Sequence, residues 1–188
     1  SNRVRILDGG RPGWLTQPVR HDFGQAIAAV SFADEDWPDK HLSRLRNAYG
    51  RAPAFAEVWP VLSDIYRAMP HDSLGLANRH LICALAGQLG LETEFVSDAD
   101  IAVGALAGDD RLIALLRACG DDVSYLSGAG GRKYQDEAKF AEAHIPLVYA
   151  GYEHPAYDQG DGEFVAGLSI VDALLRFGWA ETARLVAP

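Results

Sequence analysis

The chain has 188 residues, enough for one domain with a sizeable core. Hydrophobic residues make up 48% and charged ones 23%, the composition of a globular protein rather than a disordered one. The 17 Lys and Arg against 26 Asp and Glu give a net charge of −9, which opposes nucleic acid and anionic membrane as partners, and no run approaches the apolar length of a transmembrane span.

Arg3 to Leu7 alternates polar and apolar side chains, the period of a strand. Asp8-Gly9-Gly10-Arg11-Pro12-Gly13 is turn chemistry, and Trp14 to Val19 reads as the returning strand, with Pro18 favouring a sheet edge. Ala26 to Phe32 is a third apolar run. A helix start comes next at Asp34 to Pro38, with Asp36 as the cap and Pro38 in the first turn. Leu42, Leu45, Ala48 and Tyr49 continue at helical spacing until Gly50. A second helix is expected over Pro53 to Met69, kinked or broken at Pro60, and a third over Ser73 to Leu89, ended by Gly90.

From Glu92 the pattern alternates. Glu92 to Val96 reads as a strand, Asp109 to Ala118 as a helix, Val123 to Leu126 as a strand, Gln135 to Ala143 as a helix and Ile145 to Tyr149 as a strand. Ser169 to Phe177 is the last long helix, with Gly178 just past its end. The expected fold is therefore α/β: a central, mostly parallel sheet flanked by helices, with an N-terminal β-hairpin and a helical insertion at about 35–90. One domain over 1–188 is expected. Cys83 and Cys119 sit in apolar helical patterns and are expected as buried thiols, which suits a reducing cytoplasm. No secretory signal is expected before Arg3.

Two stretches carry candidate chemistry. Tyr125-Leu126-Ser127-Gly128-Ala129-Gly130-Gly131-Arg132-Lys133-Tyr134 reads as a strand running into a Gly-rich loop that opens a helix. Such a loop leaves backbone N–H groups bare for an anion, and Arg132 and Lys133 add positive charge. The alternative is a tight strand-to-helix turn with a solvated basic pair. The expected anion-binding set is Ser127, Gly128, Gly130, Gly131, Arg132 and Tyr134. The second stretch lies after the next apolar strand and holds His154, Tyr157 and Gln159, with Pro155 restricting the backbone of His154. Imidazole titrates near neutrality, so His154 is the expected acid–base group, with Tyr157 and Gln159 as its catalytic companions. The opposing reading is a loop histidine holding a carbonyl.

Other polar residues read as structural. His41 shares a helix face with Trp37, the run Asn78-Arg79-His80 interrupts an apolar face, and Ser169-x-x-Asp172 has the spacing of a capping box. Ser97, Asp98 and Asp100 either line the rim of the Gly-rich loop or cap the segment after them. The histidines lack metal-ligand spacing, so no metal site is expected, and the cofactor is left open by these residues.

Collinear motifs along nearly the whole chain resemble the WbqC-like family of bacterial proteins. They are Asn2-Arg3-x-Arg5-Ile6, Trp14-Leu15-Thr16-x-Pro18-Val19, Trp37-x-x-Lys40-His41-Leu42 with Tyr49, Asp110-Arg111-Leu112, and Tyr125-Leu126-Ser127-Gly128 with Tyr134. His154-Pro155-x-Tyr157-x-Gln159, Phe164 and Leu168-Ser169-Ile170-x-Asp172 complete the set. Members usually begin with a further segment bearing His-Gln-Pro-x-Tyr-x-Pro-Trp, whereas this sequence opens at the Asn-Arg motif; that segment is expected to be lost or to lie outside the numbered residues.

The resemblance implies a role in O-antigen or other surface-polysaccharide biosynthesis. The leading expectation is an enzyme acting on a nucleotide-activated sugar, transferring a small group. The alternatives are a nucleotide- or sugar-binding protein without turnover, and a scaffold of the same pathway presenting an apolar patch around Trp59 or Trp179.

Overall fold

A computed structural model describes residues 1–160 and 162–186. The chain forms two compact units, one of Ser1–Thr93 with His154–Pro188 and one of Glu94–Glu153.

The first unit opens with a hairpin. Strand β1 (Arg3–Asp8) pairs antiparallel with β2 (Arg11–Thr16) in the register Arg3↔Thr16 to Asp8↔Arg11. Gly9 and Gly10, at φ 60° and 75°, supply the two left-handed positions of the tight turn between them. Two-residue strands β3 (Val19–Arg20) and β4 (Ser31–Phe32) form a second antiparallel pair. Helix α1 (Trp37–Tyr49) has Pro38 in its first turn as expected, but the Asp36 side chain makes no capping bond. Instead the Asp36 N–H donates to Asp34, whose carboxylate also pairs with Lys40.

Helix α2 (Phe55–Arg67) runs through Pro60 without a break, so of the expected kink or break the break is ruled out. Proline removes one N–H, at a cost of about 3 kcal/mol in a helix interior. Burial of Val58, Trp59, Leu62, Ile65 and Tyr66 on one face outweighs that cost. Helix α3 (Leu74–Gln88) is capped by Ser73, which accepts the Leu76 N–H at 3.2 Å, and Gly90 comes after it at φ 69°. The unit ends in α6 (Ile170–Val186), which bends at Gly178 (φ 79°, ψ −179°). Just beyond the bend the Trp179 N–H donates to Glu57 of α2 at 3.1 Å. One core joins Ile6, Leu15, Trp37, Leu45, Val58 and Leu62 to Val171, Leu174 and Leu175. Trp59 is 8% exposed and Trp179 packs against this core, so neither forms the exposed apolar patch that a scaffold reading expected.

In the second unit Glu94 to Val96 forms no strand, nor do Glu92 and Thr93 before it. Helix α4 (Gly108–Cys119), strand β5 (Tyr125–Ser127), helix α5 (Glu137–Glu142) and strand β6 (Leu147–Tyr149) make up its regular structure. β5 and β6 pair in parallel, Ser127 opposite Tyr149. Fully buried Phe140 of α5 stacks on Tyr125 with ring centres 5.6 Å apart. The fold is mixed α/β. The expected central parallel sheet is replaced, among the described residues, by three two-stranded sheets of which one is parallel. Both cysteines are free thiols; Cys119 is exposed rather than buried. No described helix is long and apolar enough to cross a membrane.

Candidate functional site

The Gly-rich stretch lies where the parallel pair ends. β5 stops at Ser127 and β6 at Tyr149, side by side, and the Ala150 N–H donates to the Ser127 carbonyl at 2.7 Å. Ala129–Lys133 is itself a short 3-10 turn, and the helix expected from Gln135 starts at Glu137 as α5, so the glycines lie in that turn rather than at the mouth of the helix. Within the turn the Gly131 N–H is engaged by the Gly128 carbonyl at 2.9 Å. Ser127 and Gly131 are buried, and a Cβ on Gly131 would collide with Ser127 Oγ and Gln135 Oε1. Any larger residue there would have to displace the Ser127 and Gln135 side chains, which close over the glycine. Gln135 is buried, and neither atom of its amide has a partner among the described residues. It was not among the expected site residues, though its place just after Tyr134 put it beside them.

Arg132 leaves the turn with its guanidinium 4.3 Å above the Tyr149 ring, a cation–π contact. Both residues border an open groove of about 640 Å³ that runs along β6, with Glu137, Phe140 and His144 also in its lining. Tyr134 is 76% exposed. Ser97 caps its own short turn by accepting the Ala99 N–H at 3.3 Å, and Asp98 pairs with Arg111 at 2.9 Å, which gives both a structural role.

His154, Tyr157 and Gln159 belong to the other unit. Gln159 is buried, and its amide clamps a loop: it donates to the Val165 carbonyl at 3.0 Å and accepts the Val165 N–H at 2.8 Å. The Tyr157 hydroxyl donates to Asp172 at 3.0 Å, and the ring packs edge-on between Phe164 and Phe177. Burial, and then the negative charge of Asp172, push the Tyr157 hydroxyl up to about 12. A substrate-binding role for these two side chains requires them to exchange partners. His154 is exposed, with Nε2 3.7 Å from the position a Cβ would take on Gly167.

Asp172 organises this cluster. It is fully buried in the first turn of α6 and takes the Arg176 Nε one turn on at 3.3 Å. Tyr49, whose hydroxyl accepts the Leu7 N–H at 2.9 Å, is held protonated well above the ordinary tyrosine range, by burial first and the Asp172 charge second. Ser169-x-x-Asp172 looked like a capping box; the signal that marked a buried ion pair was Arg176 four residues after Asp172.

His41 is partly buried against Trp37, ring centres 5.2 Å apart, and its Nε2 donates to the Thr16 carbonyl at 3.1 Å. Burial lowers its pKa below 6.5; the Thr16 bond opposes this and Arg44 adds to it. The folded chain thus resists a proton that the unfolded chain accepts, so this stabilisation is complete above 6.5 and is lost as pH falls below it. We expect His41→Gln to flatten that segment of the urea-midpoint against pH curve; an unchanged slope would show that His41 does not set it.

These features define a mixed α/β protein whose polar clusters sit on turns and loops around small sheets. The sequence model of the WbqC-like protein family matches residues 1–184, and the chain belongs to that family. It is 32% identical over 180 residues to an uncharacterized protein of Mycobacterium tuberculosis, Rv1507c, an alignment covering 94% of this chain and 77% of that relative. No solved structure matches the chain.

Proposed function

We propose that this protein is an enzyme of bacterial surface-polysaccharide assembly that transfers a small group on a nucleotide-activated sugar. The family resemblance suggests the pathway. The observation that carries the chemistry is the rim of the parallel pair, where Arg132 and Lys133 close a glycine turn at the ends of β5 and β6 and a groove runs alongside. Ligands of α/β proteins gather at such strand exits. In this reading the pyrophosphate lies on the turn from Ser127 through Gly128, Gly130 and Gly131 to Arg132, with Tyr134 at its outer side. Separately, in the first unit, His154 is the proposed acid–base group, with Tyr157 and Gln159 as its companions.

The test is thermal unfolding with nucleoside diphosphates and their sugar conjugates. A ligand at about 100 times its Kd adds about 2.7 kcal/mol. We expect Arg132→Ala to abolish most of that gain; His154→Ala, in the other unit, is read separately, as a loss of product formation. Equal stabilisation of wild type and Arg132→Ala would sink the anion seat. The binding-protein reading is favoured by one observation, the internal engagement of Tyr157 and Gln159; it predicts the ligand gain with no product from the wild type.

A further inference from the structure

The groove beside the glycine turn lies wholly within the second unit. One row of α5 lines it. Glu137, Phe140 and Ala141 stand three and four residues apart, the spacing of a single helix face, and His144 follows three residues on, just past the helix end. That end is closed by two backbone bonds: the His144 N–H donates to the Ala141 carbonyl at 3.0 Å, and the Ile145 N–H to the Phe140 carbonyl at 2.9 Å. Such a closure puts the residue after the cap in the left-handed region, where glycine is usual. His144 sits there at φ 57°, the one positive φ outside glycine among the described residues. A residue with a Cβ resists that conformation, so the fold alone favours glycine. The histidine side chain is exposed and makes no hydrogen bond or ion pair among the described residues. Strain kept at a residue that borders a groove points to a use for its side chain there.

The other end of the groove is charged. The Arg132 guanidinium lies over the Tyr149 ring. Burial, and then the negative charge of Glu137, hold the Tyr149 hydroxyl above the ordinary tyrosine range, which sets the carboxylate beside that hydroxyl. A phosphate on Arg132 therefore has a carboxylate for a neighbour. Glu137 repels further anionic groups and accepts hydrogen bonds from hydroxyls. Along α5, Glu137 and His144 are about 10 Å apart at about 1.5 Å per residue, too far for one phosphate to meet both. The groove, about 640 Å³, has the size of a site for an organic ligand, about 300–1,000 Å³. The rest of its lining is hydrocarbon and ring, from Phe140, Ala141, Ile145, Pro146 and Leu147. A cation, a hydroxyl acceptor, an apolar wall and an imidazole match the phosphate, ribose and base of a nucleotide. We infer that the groove holds the nucleoside of a nucleoside diphosphate, with the ribose hydroxyls on Glu137 and the base stacked against His144 as a specificity-determining contact. This rests on the anion seat proposed above and names the part of the ligand beyond it.

The experiment is calorimetric titration of wild type, Arg132→Ala, His144→Gly and His144→Asn. The probes are inorganic pyrophosphate and the diphosphates of uridine, adenosine, guanosine, cytidine and thymidine. We expect at least one nucleotide to bind about tenfold more tightly than pyrophosphate, and both His144 variants to cut that advantage to about threefold or less with pyrophosphate affinity unchanged. Glycine and asparagine take the left-handed region most readily, so neither replacement opposes the helix end. The urea midpoint of His144→Gly should equal or exceed that of wild type. A lower midpoint would show that the side chain serves the fold, and overturns the inference. A nucleotide advantage that survives both His144 variants overturns it as well. Pyrophosphate binding that Arg132→Ala abolishes, with no nucleotide bound more tightly, overturns the nucleoside site and leaves the anion seat standing. A nucleotide advantage lost in the His144 variants but kept in Arg132→Ala upholds the nucleoside site and sinks the anion seat. No binding of any probe overturns both.

Discussion

Replacing Asp172 with alanine is expected to lower stability by about 3–5 kcal/mol, the usual cost of removing one partner from a buried ion pair. The carboxylate has no exposure, while the Arg176 side chain keeps only 19% of its surface in water. Without Asp172 the guanidinium and the Tyr157 hydroxyl both lose an acceptor in a site that solvent barely reaches. The position in the first turn of α6 adds a favourable helix-dipole contribution that alanine forfeits. Tyr157→Phe removes one bond to a charged group and should cost less, about 1.5–3 kcal/mol. Urea unfolding of the two single variants and the double variant tests this: the double must cost less than the sum, because both act on one network. A loss below about 1 kcal/mol for Asp172→Ala would contradict a buried, fully engaged ion pair.

The second large effect is expected at Gly178. Its φ of 79° and ψ of −179° lie in a region that essentially only glycine occupies, with a penalty of about 1–3 kcal/mol for other residues. A Cβ there would also sit 2.6 Å from Glu57 Oε2. The Glu57 carboxylate would have to move, and the Trp179 N–H would lose its acceptor at the start of the last helical turns. Loss of a helix cap costs about 1 kcal/mol more. We expect Gly178→Ala to destabilise by about 2–4 kcal/mol and Glu57→Ala by about 1 kcal/mol, read from urea midpoints at constant m-value. Equal stability of Gly178→Ala and wild type would show that the bend is not needed.

Local patterns told most of the secondary structure. The hairpin was legible from alternation around Asp8-Gly9-Gly10, and helices α1, α2 and α3 from apolar spacing with Ser73 and Gly90 as punctuation. Gly178 was expected to end a helix and does so locally, although a second helical stretch continues to Val186 because Glu57 receives its first N–H. The errors share a cause. Glu92 to Val96 reads as a short strand, but a strand exists only when another pairs with it, and among the described residues none does. Pro60 breaks helices in isolation, yet the packing of α2 decides otherwise. The Gly turn was legible as a place. The polar residues that give it and the Tyr157 cluster their character, Gln135 and Asp172, were hidden because burial of a polar side chain is set by distant parts of the chain.

Because the first unit is discontinuous in sequence, its two parts leave the ribosome at different times. β1 is tied to the far end of the chain: the Ser169 N–H donates to the Arg5 carbonyl at 2.8 Å, and Val171, Leu174 and Leu175 complete the core begun by Ile6. During synthesis that core waits, open, while about 60 intervening residues are made. At about 5–20 residues per second the delay is about 3–12 s, long beside the folding of a small helical unit. The intervening residues, contiguous in sequence, meet their own partners first. The nascent N-terminal hairpin and helices must therefore remain soluble with one face uncovered, and it is during that interval, more than in the finished protein, that a chaperone would find its substrate.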